Sequence, residues 1–220
     1  MGIISDNFKV SLDLLAIITA FLKREHIMEE LIAKASTYIE KLFADCLPKT
    51  MYFHNLEHTL RTLKTVREIG SHSGLDDQEK YILELSALFH DSGYTRKYIG
   101  HEEESMRIAA DFLRQENVGQ EVIDSVCSCI LATRFPQSPT EKLGMILCDA
   151  DLYHFSLDDY LLFAENLKRE WEVMLKVSYD KQQWDALNLN LLCNHEYFSP
   201  YSRNKFQKGK ELNIDRLSVI

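Results

Sequence analysis

An all-α protein is what this sequence predicts, and three observations predict it. Glycine and proline are scarce, with 8 and 4 in 220 residues, so chain-breaking signals are few. Between those signals the apolar residues recur every three to four positions, the period of a helix that buries one face. The hydrophobic fraction, 45%, is enough to bury a large core as one domain, or as one domain with an appendage.

The charge balance sets a limit on partners. With 25 Lys and Arg against 34 Asp and Glu the net charge is −9, which argues against binding along an extended nucleic-acid backbone. It leaves room for a small phosphorylated molecule, because a local metal ion attracts phosphate against an acidic background. Cys46, Cys127, Cys129, Cys148 and Cys193 are odd in number and follow no disulfide or zinc spacing. They are expected to be reduced core cysteines of a cytoplasmic protein. The CxC at 127–129 has no second thiol pair to complete a metal site.

The apolar run Leu12–Leu22 is too short to span a bilayer, and Lys23-Arg24-Glu25-His26 follows it at once with no small-residue cleavage site. Residues 1–27 are therefore expected to be an accessory helix, with no membrane partner, and residues 28–220 the domain proper. Met28 opens a second helical pattern through Leu31, Ala35, Ile39 and Phe43 to Cys46, and Leu47-Pro48-Lys49-Thr50 breaks it. Asn55 then predicts a helix cap, with a helix from about Leu56 to Gly70 and Leu60, Leu63, Val66 and Ile69 on its inner face. His58 falls in the first turn of that helix, where it suits a metal ligand or an anion contact. His54, four residues earlier, shares its direction if the turn is already helical there. Arg61 either reaches a phosphate or is solvated.

The next helix, starting near Asp76, carries YILELSALFHDSGY, in which Ile82, Leu83, Leu85, Ala87, Leu88 and Phe89 cover most of the circumference. It should lie deep in the core, with His90 and Asp91 at its buried end. A carboxylate buried there needs a compensating charge, and a metal ion supplies it; the alternative is a pair that only caps the helix. A further helix opens with His101, Glu102, Glu103 and Glu104, where the three glutamates favour the helix dipole, or His101 with one of Glu103 or Glu104 faces a site. After a helix from Glu121 to Thr133 comes LGMILCDADLYHF, a second apolar run ending in acids, Asp149 and Asp151. Two such runs raise metal binding above capping. Two more amphipathic helices follow, and the final stretch from Ser199 is expected to be basic and loop-rich. No repeat or linker divides the chain.

His58, His90-Asp91 and Asp149 resemble the H…HD…D signature of the HD-domain metal-dependent phosphohydrolases. From about Met28 to Phe206, FHNLEHTLRT, LFHDSGYT, HEEES and LCDADL look like an uncharacterised bacterial branch of that superfamily. The resemblance implies an HD-like helical bundle holding a divalent ion, Mg²⁺, Mn²⁺, Fe²⁺, Co²⁺ or Ni²⁺, on His58, His90, Asp91 and Asp149. Asp151 is the alternative ligand; Asp149 is preferred because it directly ends the apolar run, while Asp151 lies about 200° further around a helix.

FHNLEH is also similar to the motif of 3′,5′-cyclic nucleotide phosphodiesterases, which makes His54 the expected general acid. Asp91 would also take a proton from the attacking water. Arg61, His101 and Glu104 are the expected substrate contacts. The implied substrate is a small phosphate ester, a nucleotide first. Tyr94 stands where some phosphodiesterases have a further histidine. The Glu-Asp pair of guanosine tetraphosphate hydrolases and the GYP element of cyclic di-GMP phosphodiesterases are missing, which weakens those substrates and leaves the metal site intact. The alternatives are a catalytically silent HD module that senses a nucleotide or partner, and a di-iron protein using His101 with Glu103 or Glu104.

Overall fold

The computed structural model describes the backbone of residues 3–218 and, before residue 22, the side chain of Thr19 alone. Nine α-helices follow one another among the described residues, and strands are absent from them: α1 (Ile3–Cys46), α2 (Leu56–Ser71), α3 (Asp77–Phe89), α4 (His101–Gln115), α5 (Gln120–Ala132), α6 (Lys142–Asp151), α7 (Tyr160–Met174), α8 (Lys181–Asn194) and α9 (Pro200–Ser218). Short 3₁₀ turns at Ser92–Thr95 and Tyr153–Ser156 follow α3 and α6. Among the described residues, no helix is long and apolar enough to cross a membrane.

The helix expected to be buried is the centre of the molecule. Asp76 and Glu79 form a reciprocal capping box at the start of α3, and α1, α2, α4, α5 and α6 all pack around it. Leu85, Ala87, Leu88 and Phe89 are wholly inaccessible, so both ends of its wheel are covered. Leu85→Ala is expected to lower unfolding free energy by about 3 kcal/mol, the cost of lost transfer energy plus an incompletely closed cavity, as read by chemical denaturation. A change below ~1 kcal/mol would contradict the central place of this helix.

The turn after α3 is pinned to α4 by a close backbone approach. A Cβ on Gly93 would stand 1.9 Å from the His101 carbonyl oxygen, and the Gly93 N–H donates to Ser105 Oγ at 2.8 Å. Only a residue without a side chain allows that contact, which brings the start of α4 beside Asp91. A smaller apolar cluster, with Phe155, Tyr160, Ala164, Leu192 and Leu217, ties α7, α8 and α9 to the second 3₁₀ turn.

Several expectations change. α1 runs through residues 27 and 28 without a break, its buried stripe being Leu31, Ala35, Ile39 and Phe43. The environment expected for the run up to Phe21 lies outside the described residues. Leu60 is 38% exposed rather than on the inner face of α2, because His58, Thr59 and Thr62 occupy the buried side with Leu63, Val66 and Ile69. Cys46 and Cys193 are exposed, unlike the buried Cys129 and Cys148. The C-terminal stretch is a 19-residue helix and not a loop. Pro200 suits a first helical position, Ser199 Oγ accepts the Ser202 N–H, and Phe206, Lys210, Asn213 and Leu217 make a buried stripe too polar to show in an apolar pattern.

Candidate metal centre

Three helix ends converge on one point. Asn55 Oδ1 accepts the N–H groups of Glu57 and His58, so the cap of α2 holds His58 in the first turn with only 5% exposure. His90 stands at the C-cap of α3, and its Nδ1–H donates to the Ala87 carbonyl at 2.8 Å. In the neutral ring that bond leaves the lone pair on Nε2, the form a metal ion needs; against burial, Asp91 and Asp151 raise the His90 pKa well above the ordinary value, so an ion binding there displaces a proton. Asp91 follows directly, and Asp151 closes α6.

The donor atoms lie at coordination spacing. His58 Nε2 is 3.0 Å from Asp151 Oδ1, 3.3 Å from His90 Nε2 and 3.4 Å from Asp91 Oδ2. His90 Nε2 is 3.3 Å from Asp91 Oδ2 and 3.5 Å from Asp151 Oδ1. Ligands bonded at roughly 2.1 Å are spaced ~3.0 Å along an octahedral edge and ~3.4 Å along a tetrahedral one. His58, His90 and Asp151 form a group whose ligand atoms all lie within 4.8 Å of one another.

The electrostatics point the same way. Burial opposes ionisation of Asp91 and Asp151, but His90 and His58 beside them outweigh it and hold both carboxyls well below the ordinary range. Asp91 Oδ2 is buried without a hydrogen-bond partner among the described residues. Two ionised carboxylates and two facing imidazole nitrogens therefore surround one spot, a donor set that fits a divalent cation.

Asp149 is not part of this group. Its Oδ1 and Oδ2 accept the backbone N–H groups of Phe198 and Ser199 at 2.7 and 2.8 Å, which anchors the start of α9. Asp149 and Asp151 are two positions apart on one helix and so face nearly opposite ways. The preference for Asp149 is thus reversed: the buried acid that ends the apolar run serves the backbone, and the next one turns to the histidines. Gln137 Nε2 donates to Asp151 Oδ2 at 3.2 Å and orients it.

His54 lies beside the group, in the bent segment before the Asn55 cap, where the Asn55 N–H donates to the Phe53 carbonyl, rather than in a helical turn. Glu170 of α7 accepts from the His54 ring Nδ1, the His54 and Phe53 backbone N–H groups at 3.1 and 2.8 Å, and Tyr98 Oη–H at 2.9 Å. Burial disfavours a charged His54, but the Glu170 carboxylate overcomes this and raises its pKa above the ordinary value. His101 stacks on Tyr94 at 3.7 Å and stands 3.7 Å from Asp91 Oδ1; burial lowers its pKa. His154 is buried against Phe53, and burial drives its pKa down to about 3, so it is neutral.

The other expected substrate contacts face outward. Arg61 pairs with Glu57 at 2.7 Å and covers the Phe163 ring. Glu104 is engaged by Arg96, Lys97 and Arg107, and Glu103 by Arg134. Glu102, between His101 and these two, is the glutamate that turns inward, 3.6 Å from His101 Nδ1. A cavity of about 580 Å³ opens from the group and is lined at this end by His54, Asp91, His101, Glu102 and Asp151.

Sequence reasoning missed Glu170, Tyr98, Glu102, Gln137 and His154. Glu170 left no periodic signal, since it lies six positions after Ala164 and about 120° around α7 from it. Tyr98 and Gln137 lie in loops, where no periodicity marks direction. Among families of known proteins, the HD domain model matches residues 55–156, a span holding His58, His90, Asp91 and Asp151 but ending before Glu170. No curated protein matches the chain.

Proposed function

Because this chain belongs to the HD-domain family over residues 55–156, we propose that it is a metal-dependent phosphohydrolase acting on a small phosphate ester. The supporting observation is the convergence of His58, His90, Asp91 and Asp151 beside the His54–Glu170 pair at one end of a cavity. His58, His90, Asp91 and Asp151 would hold the ion, and a mixed nitrogen and oxygen set suits Mn²⁺, Fe²⁺, Co²⁺ or Ni²⁺ as well as Mg²⁺. When bound, such an ion supplies Lewis acidity toward phosphate and an acidified water.

The protein's own groups supply the proton transfers. Asp91 is within the donor group and is the acceptor for the proton of the attacking water. His54 is the general acid: with Nδ1 committed to Glu170, the transferable proton is on Nε2, and the carboxylate raises the ring's pKa and so favours its protonated form. The domain is proposed to span residues 28–220, with 1–27 as an accessory extension of the continuous helix α1, and the buried thiols Cys129 and Cys148 agree with a cytoplasmic setting.

A panel of phosphomonoesters, cyclic nucleotides and nucleoside mono- and polyphosphates, assayed with each ion, tests the proposal. The expected result is turnover that a chelator abolishes and one of these ions restores. An ion-loaded, folded protein that hydrolyses nothing in the panel would point instead to a silent binding module.

A further inference from the structure

Away from the ion-binding group the cavity changes character. Its walls are supplied by α7 and α8 through Leu167, Trp171, Trp184, Leu187 and Leu191, with Trp171 and Trp184 packed edge to face at 5.6 Å between ring centres. Ile99 and Phe135, at the rim, are 80% and 67% exposed, so the apolar lining continues to the surface. Exposed apolar residues scattered singly need no explanation, but two at the rim of an apolar cavity form part of one surface.

Some polar groups of the walls are committed, while Gln137 Oε1, His154 Nδ1 and Trp184 Nε1 have no partner among the described residues. Tyr98 Oη–H donates to Glu170, while the Asn188 amide accepts from Tyr160 Oη–H at 2.6 Å and donates to the Trp184 carbonyl at 2.8 Å. Neither Lys nor Arg is among the lining residues; the carboxylates that line it are Asp91, Glu102 and Asp151, and the proposed proton donor His54 stands at the same end. A di- or triphosphate would place its extra negative charge against these carboxylates, with no cation beyond the ion and His54, both engaged by the phosphate that is cleaved. A sugar would set its several hydroxyls against mainly apolar walls, with Gln137 Oε1, His154 Nδ1 and Trp184 Nε1 as the unpaired side-chain atoms on the lining residues.

Resting on the phosphohydrolase reading, we infer that the substrate carries a single phosphate group on a bulky, mainly apolar alcohol, the phosphate at the His58–His90–Asp151 end and the apolar body between α7 and α8. Nothing in this arrangement requires a nucleoside, and nucleoside polyphosphates fit it worst.

Calorimetric binding of alkylphosphonates from methyl to octyl, and of phenyl- and naphthylphosphonate, to the Mn²⁺-loaded protein tests the inference without requiring turnover. Kd is expected to fall about fourfold per added methylene until the cavity is filled. ATP and ribose 5-phosphate should bind no more tightly than methylphosphonate. A steeper gain with linear chains assigns an aliphatic alcohol, and one with fused rings an aromatic alcohol. Leu187→Gln should flatten the dependence while leaving metal content unchanged. A Kd independent of chain length, or ATP binding more tightly than every phosphonate, would overturn the inference. Hydrolysis assays on the matching phosphate esters separate the two ideas: turnover without chain-length dependence keeps the hydrolase reading and rejects this one, and chain-length dependence without turnover does the reverse.

Discussion

Asp151→Ala is expected to weaken divalent-ion binding by more than about 100-fold, since loss of an outer partner alone costs 10–100-fold and this change removes a proposed ligand. Asp149→Ala should keep the ion. It should instead lower stability by about 2–4 kcal/mol, because the Phe198 and Ser199 N–H groups lose their acceptor in a partly or fully buried setting. Elemental analysis and Mn²⁺ titration, alongside chemical denaturation of both variants, read the two effects separately. Asp149→Asn, which retains the volume and one acceptor oxygen, is the companion if the alanine variant does not fold. A folded Asp149 variant without metal, or an Asp151→Ala variant that binds as well as the parent, would reject the ligand set.

His54→Ala is expected to lower kcat by roughly a hundred-fold or more on alkyl phosphates with metal content unchanged, the scale of general acid catalysis. An activated aryl phosphate, whose departing oxygen scarcely needs a proton, should be hydrolysed almost normally. The pH profile carries the sign. A general acid acts in its protonated form, so kcat should fall as pH rises through the His54 pKa, which Glu170 holds above the ordinary histidine value. Glu170→Gln removes the carboxylate that raises that pKa and should move the descending limb toward lower pH. A limb that does not move would separate Glu170 from proton donation, and a metal-free His54→Ala would make His54 a ligand.

The sequence by itself determined the helical class, the burial of α3 and the candidates His58, His90 and Asp91, because each rests on local information. Apolar residues around a whole wheel leave no face for water, a cap residue marks a first turn, and adjacent residues at a helix end stay together however the chain folds. Only the tertiary structure decided between Asp149 and Asp151. Both are acids at the end of one apolar helix facing opposite ways, and the choice depends on whether α9 or the α2–α3 ends lie on a given side. The same holds for Glu170 and His54, which are distant in sequence and meet because α7 packs beside the loop before α2. Arg61 and Glu104 had the right chemistry in the wrong direction, each drawn to a partner on the surface. Residue type and spacing report what a side chain is able to do; the direction it faces is set by the packing of helices far apart in the chain.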